Sequence, residues 1–224
     1  HCKVTVLEGG GPVLPTETPY LSRAEVRAGL RLACQVKIRQ DIRIQVPEDL
    51  LNVKMYSATV ASTREVTHDI KEIRFSLNDP PEITHRPGQR SRLRGSFASC
   101  VGGGCGMAPM KNIIYSLYDR WPERTCWLFF GCRTTRDVFY LEQFQELARK
   151  HPNFHVVYAL SDPVEPDEQW DGEQGFIHLS ADKHLEAGAR RQAFLCGPPP
   201  MIEAVTRVLL EKGVREQDIF YDKF

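Results

Sequence analysis

The chain has 224 residues, with 29 basic and 29 acidic side chains and therefore no formal net charge. That length allows one or two domains with an ample core, and the balanced charge gives no bulk attraction to nucleic acid or to an anionic membrane. No apolar run has the length of a bilayer span and nothing at the start resembles a secretory signal, while seven cysteines without a compact spacing suit a reducing compartment with free or metal-bound thiols.

The first residue is His1 rather than methionine, so a processed chain or a piece of something longer is expected. Residues 2–6 and 36–44 alternate with the period of two of half-buried strands. Between them Gly9-Gly10-Gly11-Pro12 breaks the chain, and Ser22-Arg23-Ala24-Glu25 predicts a capping box opening a short helix that ends near Gly29. Strands around one helix suggest a small α+β module over residues 1–50. Residues 47–53 read as a linker. Two further strands are expected at 55–62 and 69–77, before the loop signals Asn78-Asp79-Pro80-Pro81 and Arg86-Pro87-Gly88. Residues 89–98 are basic and without a clear period.

From Cys100 the pattern becomes one of alternating strands and helices. Short apolar runs at 127–131, 155–160 and 193–196 predict buried strands, and amphipathic stretches at 107–120, 140–150 and 199–212 predict helices. This βαβ rhythm argues for a parallel sheet covered on both faces, with residues 219–222 as a last strand. Within it, Val101-Gly102-Gly103-Gly104-Cys105-Gly106-Met107-Ala108-Pro109 is unusually bare. Glycine is costly to order, but at a strand-to-helix turn it lets backbone N–H groups approach a phosphate, and proline suits a helix's first turn. A glycine-rich turn without a ligand remains open, because isolated glycine motifs misfire often. A second stretch, Leu195-Cys196-Gly197-Pro198-Pro199-Pro200-Met201, puts a cysteine at a strand's carboxyl end on the same sheet edge. A buried cysteine followed by a rigid turn is the plainer alternative.

VGGGCGMAPM and FLCGPPPM, in this order, resemble the NAD-binding half of the ferredoxin–NADP reductase superfamily, together with Gly131-Cys132-Arg133 and Phe139-Tyr140. The resemblance implies that a glycine turn of Gly102, Gly103, Gly104, Gly106 and Pro109 holds a pyrophosphate. It implies that Cys196, Gly197 and Pro198 border the nicotinamide, and that the C-terminal aromatic Phe224 lies against a flavin. Arg133 is a candidate for the adenosine ribose, with a solvated surface arginine the alternative.

Cys2 and Cys34, the latter in Arg31-Leu32-Ala33-Cys34-Gln35, are similar to the end of a plant-type ferredoxin motif that binds a [2Fe–2S] cluster through four thiolates. Gly9-Gly10-Gly11-Pro12-Val13-Leu14-Pro15-Thr16-Glu17, RLACQVKIRQDIRIQVPE and SDPVEPDEQWDGEQGFIH resemble the F subunits of sodium-translocating NADH:quinone reductases. What this implies is a three-part chain: the end of a ferredoxin-like β-grasp domain at 1–50, a shortened FAD-binding β-barrel at 51–97, and an α/β NAD-binding domain at 98–224. NADH would give a hydride to FAD, and single electrons would go on to the cluster. The expected partners are the other subunits of a membrane complex at the cytoplasmic face of the bacterial inner membrane, and quinone indirectly. The Arg-x-Tyr-Ser flavin motif of the family is missing, and residues 96–101 are shorter and more polar than a buried parallel strand. The alternatives are therefore a catalytically inactive NADH-binding remnant, or a reductase component serving an oxygenase. NADH is expected over NADPH from the resemblance, since Arg133 and Arg136 do not settle it by charge.

Overall fold

The computed structural model describes residues 3–45, 55–83 and 97–223. Cys2, the expected linker, Arg86-Pro87-Gly88, residues 89–96 and Phe224 lie outside the described residues. The chain divides into two compact units, His1–Ser57 and Ala58–Phe224.

In the first unit β1 (Lys3–Glu8) is the centre of a three-stranded antiparallel sheet, between β2 (Leu30–Leu32) and β3 (Arg43–Gln45). The helix α1 (Arg23–Arg27) starts at the expected capping box: Glu25 N–H donates to Ser22 Oγ at 3.2 Å, and Ser22 N–H donates to Glu25 Oε2 at 2.8 Å. The expected strand at 36–44 is mostly irregular, and only its last residues join the sheet as part of β3. Few apolar side chains are buried here; Leu21 and Leu32 are. The node of the unit is polar instead. Arg31 donates from Nε and Nη2 to both oxygens of Glu17, at 2.9 and 2.6 Å, and to the carbonyls of Gly10, Gly11 and Pro12. Glu17 also accepts from the N–H groups of Leu14 and Leu32. Every acceptor and nearly every donor of this buried pair is thus satisfied, which a buried charge requires.

The second unit opens with β4 (Ser57–Glu65) and β5 (Lys71–Asp79), which pair only with each other. A six-stranded sheet follows, all parallel, in which β6 (Phe97–Gly103), β7 (Thr125–Cys132), β8 (Phe154–Leu160) and β9 (Glu173–Gln174) are neighbours in that order. The chain then crosses back, so that β10 (Arg191–Gly197) and β11 (Ile219–Lys223) lie on the other side of β6. The strand whose sequence is short and polar is the middle of this sheet, buried from Ala98 to Gly103. Its Ser99 hydroxyl is buried without a partner among the described residues.

Alternate side chains of the strands feed two cores. Cys100, Leu128, Phe130 and Cys196 face α2 (Met107–Arg120) and α3 (Leu141–Lys150). Val101, Phe129, Ala193 and Leu195 face α4 (Ile177–His184) and α5 (Pro199–Glu211). The strand β9 and the helix α4 lie in the stretch after residue 160, where the sequence pattern predicts neither.

Candidate functional site

The reversal of strand order falls between β6 and β10, and ligands of open parallel sheets bind beyond the carboxyl ends of the strands at such a point. The register pairs Gly102 with Cys196, so the two glycine-containing turns leave the sheet side by side. Beyond that edge lies a cavity of about 500 Å³. Gly103, Gly104, Pro198 and Arg133 line it, as do Ser161, Phe176 and His178.

The glycines of the turn do different things. At Gly104 the backbone has φ +53°, a left-handed conformation that glycine adopts without strain, and the space a Cβ would take is open. The bare peptide therefore faces the cavity. A Cβ at Gly103 would lie 2.9 Å from Met201 Sδ and 3.3 Å from Pro198 Cδ, so the two turns meet there. Gly106 is a packing position. Its Cβ would be 2.0 Å from the Cys196 carbonyl oxygen, which forces the turn down on β10. Gly102 is likewise buried against Phe130 rather than lining the cavity. Pro109 is the third residue of α2, within the first turn, and is exposed. No side chain caps α2, whose N-cap is Gly106. The Met107 N–H is taken by the Gly104 and Cys105 carbonyls, and Pro109 has no N–H to satisfy.

Cys196 is buried on the face shared with α2. Burial pushes its thiol up from the usual value, with Asp222 and Cys105 adding to the effect. It is thus a neutral thiol near pH 7. Gly197 pairs with Lys223 at the end of β11, and Phe224 lies outside the described residues. Arg133 is exposed and ion-paired to Asp162 at 3.3 Å.

Two features of the cavity escape the sequence motifs. Phe176 is 64% exposed, with its ring stacked near His178 at 6.0 Å, just after Gly175 at φ +112°. The GFIH segment carries that turn, but only the fold aims it at the cavity. The hairpin tip is the other, since Asp69 and Ile70 of the β4–β5 turn also line the cavity.

Of the expected metal ligands, Cys34 is exposed on the turn after β2, and Cys2 lies outside the described residues. Among the described residues no group of cysteines has the spacing to hold a metal, so these residues do not by themselves assemble a cluster site. In the stretch expected to be a shortened flavin barrel, β4 and β5 form a two-stranded sheet with an exposed surface. The cavity at the glycine turn fits a dinucleotide in size and bare backbone.

Residues 100–207 match the family described as the oxidoreductase NAD-binding domain. The F subunit of the Na(+)-translocating NADH-quinone reductase from Neisseria meningitidis is 27% identical over an alignment of 330 residues, covering 100% of this chain and 81% of the relative. That alignment is much longer than the 224 residues of the chain, so a large part of it faces gaps here. The corresponding protein of Klebsiella pneumoniae matches to the same extent. Among solved structures, the cytochrome P450 reductase of Amycolatopsis superposes with a TM-score of 0.73 at 22% identity, covering 100% of this chain and 86% of that one. A ferredoxin reductase of carbazole 1,9a-dioxygenase gives 0.62 at 25%, with the same coverage. No helix among the described residues is long and apolar enough to cross a membrane. Residues 100–207 thus match the oxidoreductase NAD-binding family, and over its whole length the chain is similar to the F subunits of Na(+)-translocating NADH-quinone reductases.

Proposed function

We propose that this chain binds NADH as the electron-input part of a reductase, in the manner of the F subunits it is related to. The observation that carries the reading is the juxtaposition of two bare turns, Gly103-Gly104 and Gly197-Pro198, at the switch point of a parallel sheet. The bare peptide at Gly104, at the approach to α2, supplies the donor for the pyrophosphate. Gly197 and Pro198 let the nicotinamide lie flat beside Cys196, whose burial keeps the thiol protonated and uncharged next to the ring. Arg133 and Phe176, which line the cavity, would meet the adenosine end. Bound NADH supplies a hydride, which no protein side chain can supply. In this reading the acceptor is FAD, the next carrier a [2Fe–2S] cluster with Cys2 and Cys34 among its ligands, and the chain docks on other subunits of a membrane complex that reduces quinone. Phe224 would guard the flavin face.

A second reading is favoured by the exposed β4–β5 hairpin and the long gaps in the alignment. In it the chain keeps the NADH site and lacks an acceptor of its own. A visible spectrum of the purified chain, before and after anaerobic addition of NADH, separates the two. A flavin band that bleaches supports the first reading. A colourless protein that still binds NADH supports the second, and one that binds no NADH overturns both.

A further inference from the structure

We propose that the tip of the β4–β5 hairpin is a wall of the dinucleotide cavity, where Asp69, with Asp137, accepts a ribose hydroxyl and repels a 2′-phosphate. The hairpin would thereby make the site prefer NADH to NADPH; this rests on the dinucleotide reading above. The hairpin has almost no buried surface along its strands, yet its tip is anchored. Val66 and Ile70 pack on the core beneath α2 and α3, and Tyr140 donates its hydroxyl hydrogen to Glu72. The turn itself is closed by Val66 N–H to the Ile70 carbonyl at 2.9 Å and by Ile70 N–H to Thr67 Oγ1 at 3.0 Å. Thr67 in turn donates to Asp69 Oδ1 at 2.8 Å, which fixes one carboxylate oxygen.

Asp137 approaches from the loop between β7 and α3. Its Oδ2 accepts from the Thr134 N–H and hydroxyl, at 2.8 and 3.0 Å, leaving Oδ1 toward the hairpin. His68 Nδ1 sits 3.7 Å from that oxygen and 3.9 Å from Asp69 Oδ1. Two carboxylates from separate loops thus converge at the cavity, with one exposed imidazole beside them. When charged, that imidazole offsets one carboxylate and not both. Arg133 is the only arginine or lysine among the described lining residues, and Asp162 already pairs with it. A free ribose hydroxyl can donate to a carboxylate, whereas a 2′-phosphate cannot and needs an uncommitted cation. Asp69 is outside the motif region altogether, in a segment otherwise remote from the nucleotide turns in sequence.

The test is a titration of the purified full chain with NADH and with NADPH, followed by nicotinamide fluorescence. Wild type would be compared with Asp69→Asn, Asp69→Lys and Gly104→Val. We expect wild type to bind NADH about tenfold or more tightly than NADPH. Asp69→Asn should narrow that ratio about threefold to fivefold, and Asp69→Lys about tenfold, mainly through tighter NADPH binding. Both changes lie on an exposed turn, and the asparagine keeps the acceptor for Thr67. Gly104→Val should weaken both dinucleotides alike. NADH binding with an unchanged ratio in both Asp69 variants, or no preference in wild type, overturns the hairpin's role and leaves the dinucleotide site standing. Binding of neither dinucleotide, or binding indifferent to Gly104→Val, overturns both.

Discussion

β6 and β4 are strands of similar length and similarly mixed composition, Phe-Ala-Ser-Cys-Val-Gly-Gly against Ser-Ala-Thr-Val-Ala-Ser-Thr-Arg-Glu. From Ala98 onward β6 is wholly buried, and β4 is exposed along its entire length. The difference is in their neighbours. β6 is hydrogen-bonded on both edges, by β10 and β7, and lies between two helical layers; β4 has β5 alone. Strand preference is largely a statement about fitting a half-buried surface, and a lone two-stranded ribbon is marginal in water. The first unit shows a third arrangement, in which a buried ion pair replaces much of an apolar core.

The sharpest way to break the comparison is to cut the same ring from each region. Phe130 is fully buried, edge-on to Phe139 and Tyr158 at 5.2 and 5.4 Å. Phe130→Ala should destabilise the second unit by about 3–5 kcal/mol. Phe75 on β5 is 60% exposed, and Phe75→Ala should change stability by no more than about 0.5 kcal/mol. Chemical denaturation followed by tryptophan emission measures both. Equal losses would mean that the hairpin is buried in solution.

The polar node should be nearly as sensitive as the apolar core. Glu17→Ala leaves the buried Arg31 guanidinium without its counter-ion, at a cost of about 3 kcal/mol to the first unit. The Arg31 hydrogen bonds hold the Glu17 carboxyl down at about 2, below its ordinary 4.5, against the opposing effect of burial. A lowered folded-state value means that the stabilisation is complete above about pH 4.5 and is lost as pH falls toward 2. Protection factors of the β1 and β2 amides, measured down through that window, should fall in wild type and fall less in Glu17→Ala, where the Glu25 carboxyl, also held at about 2 by Lys3, still titrates.

Legibility in the sequence follows the same division. The helix at 107–120 and the parallel strands can be read because apolar period and turn chemistry agree there. β6 is harder to read, since Ser99 and Cys100 look polar or ambiguous until strands on both sides bury them. The strand expected at 36–44 alternates well, but only residues 43–45 find a partner strand in β1. Within the site, the glycine turn and the Cys196 turn are local motifs and can be found as such. Phe176, His178 and Asp69 reach the cavity only through tertiary placement, and no spacing rule brings residue 69 next to residue 137. Gly102 and Gly106 show the converse, being legible as bare positions whose reason is packing against Phe130 and Cys196.

A smaller and local effect concerns how the hairpin is held. Tyr140 adopts φ +59° at the start of α3 and donates to Glu72, while Lys111 Nζ sits 3.6 Å from the centre of its ring. The bond from Tyr140 keeps the Glu72 carboxyl below its ordinary value, against the raising effect of burial. Tyr140→Phe removes that bond and keeps the ring and its cation contact. A hydrogen bond to a charged group contributes about 1.5–3 kcal/mol, and partial exposure of the pair places this one at the low end. The loss should appear locally rather than globally. Amides of β5 should exchange about tenfold faster while those of β6 are unchanged, because the hairpin can open without disturbing a sheet that it does not extend. Uniform acceleration across both strands would show that hairpin and sheet unfold as one cooperative body, and the contrast between β4 and β6 would then be one of exposure only.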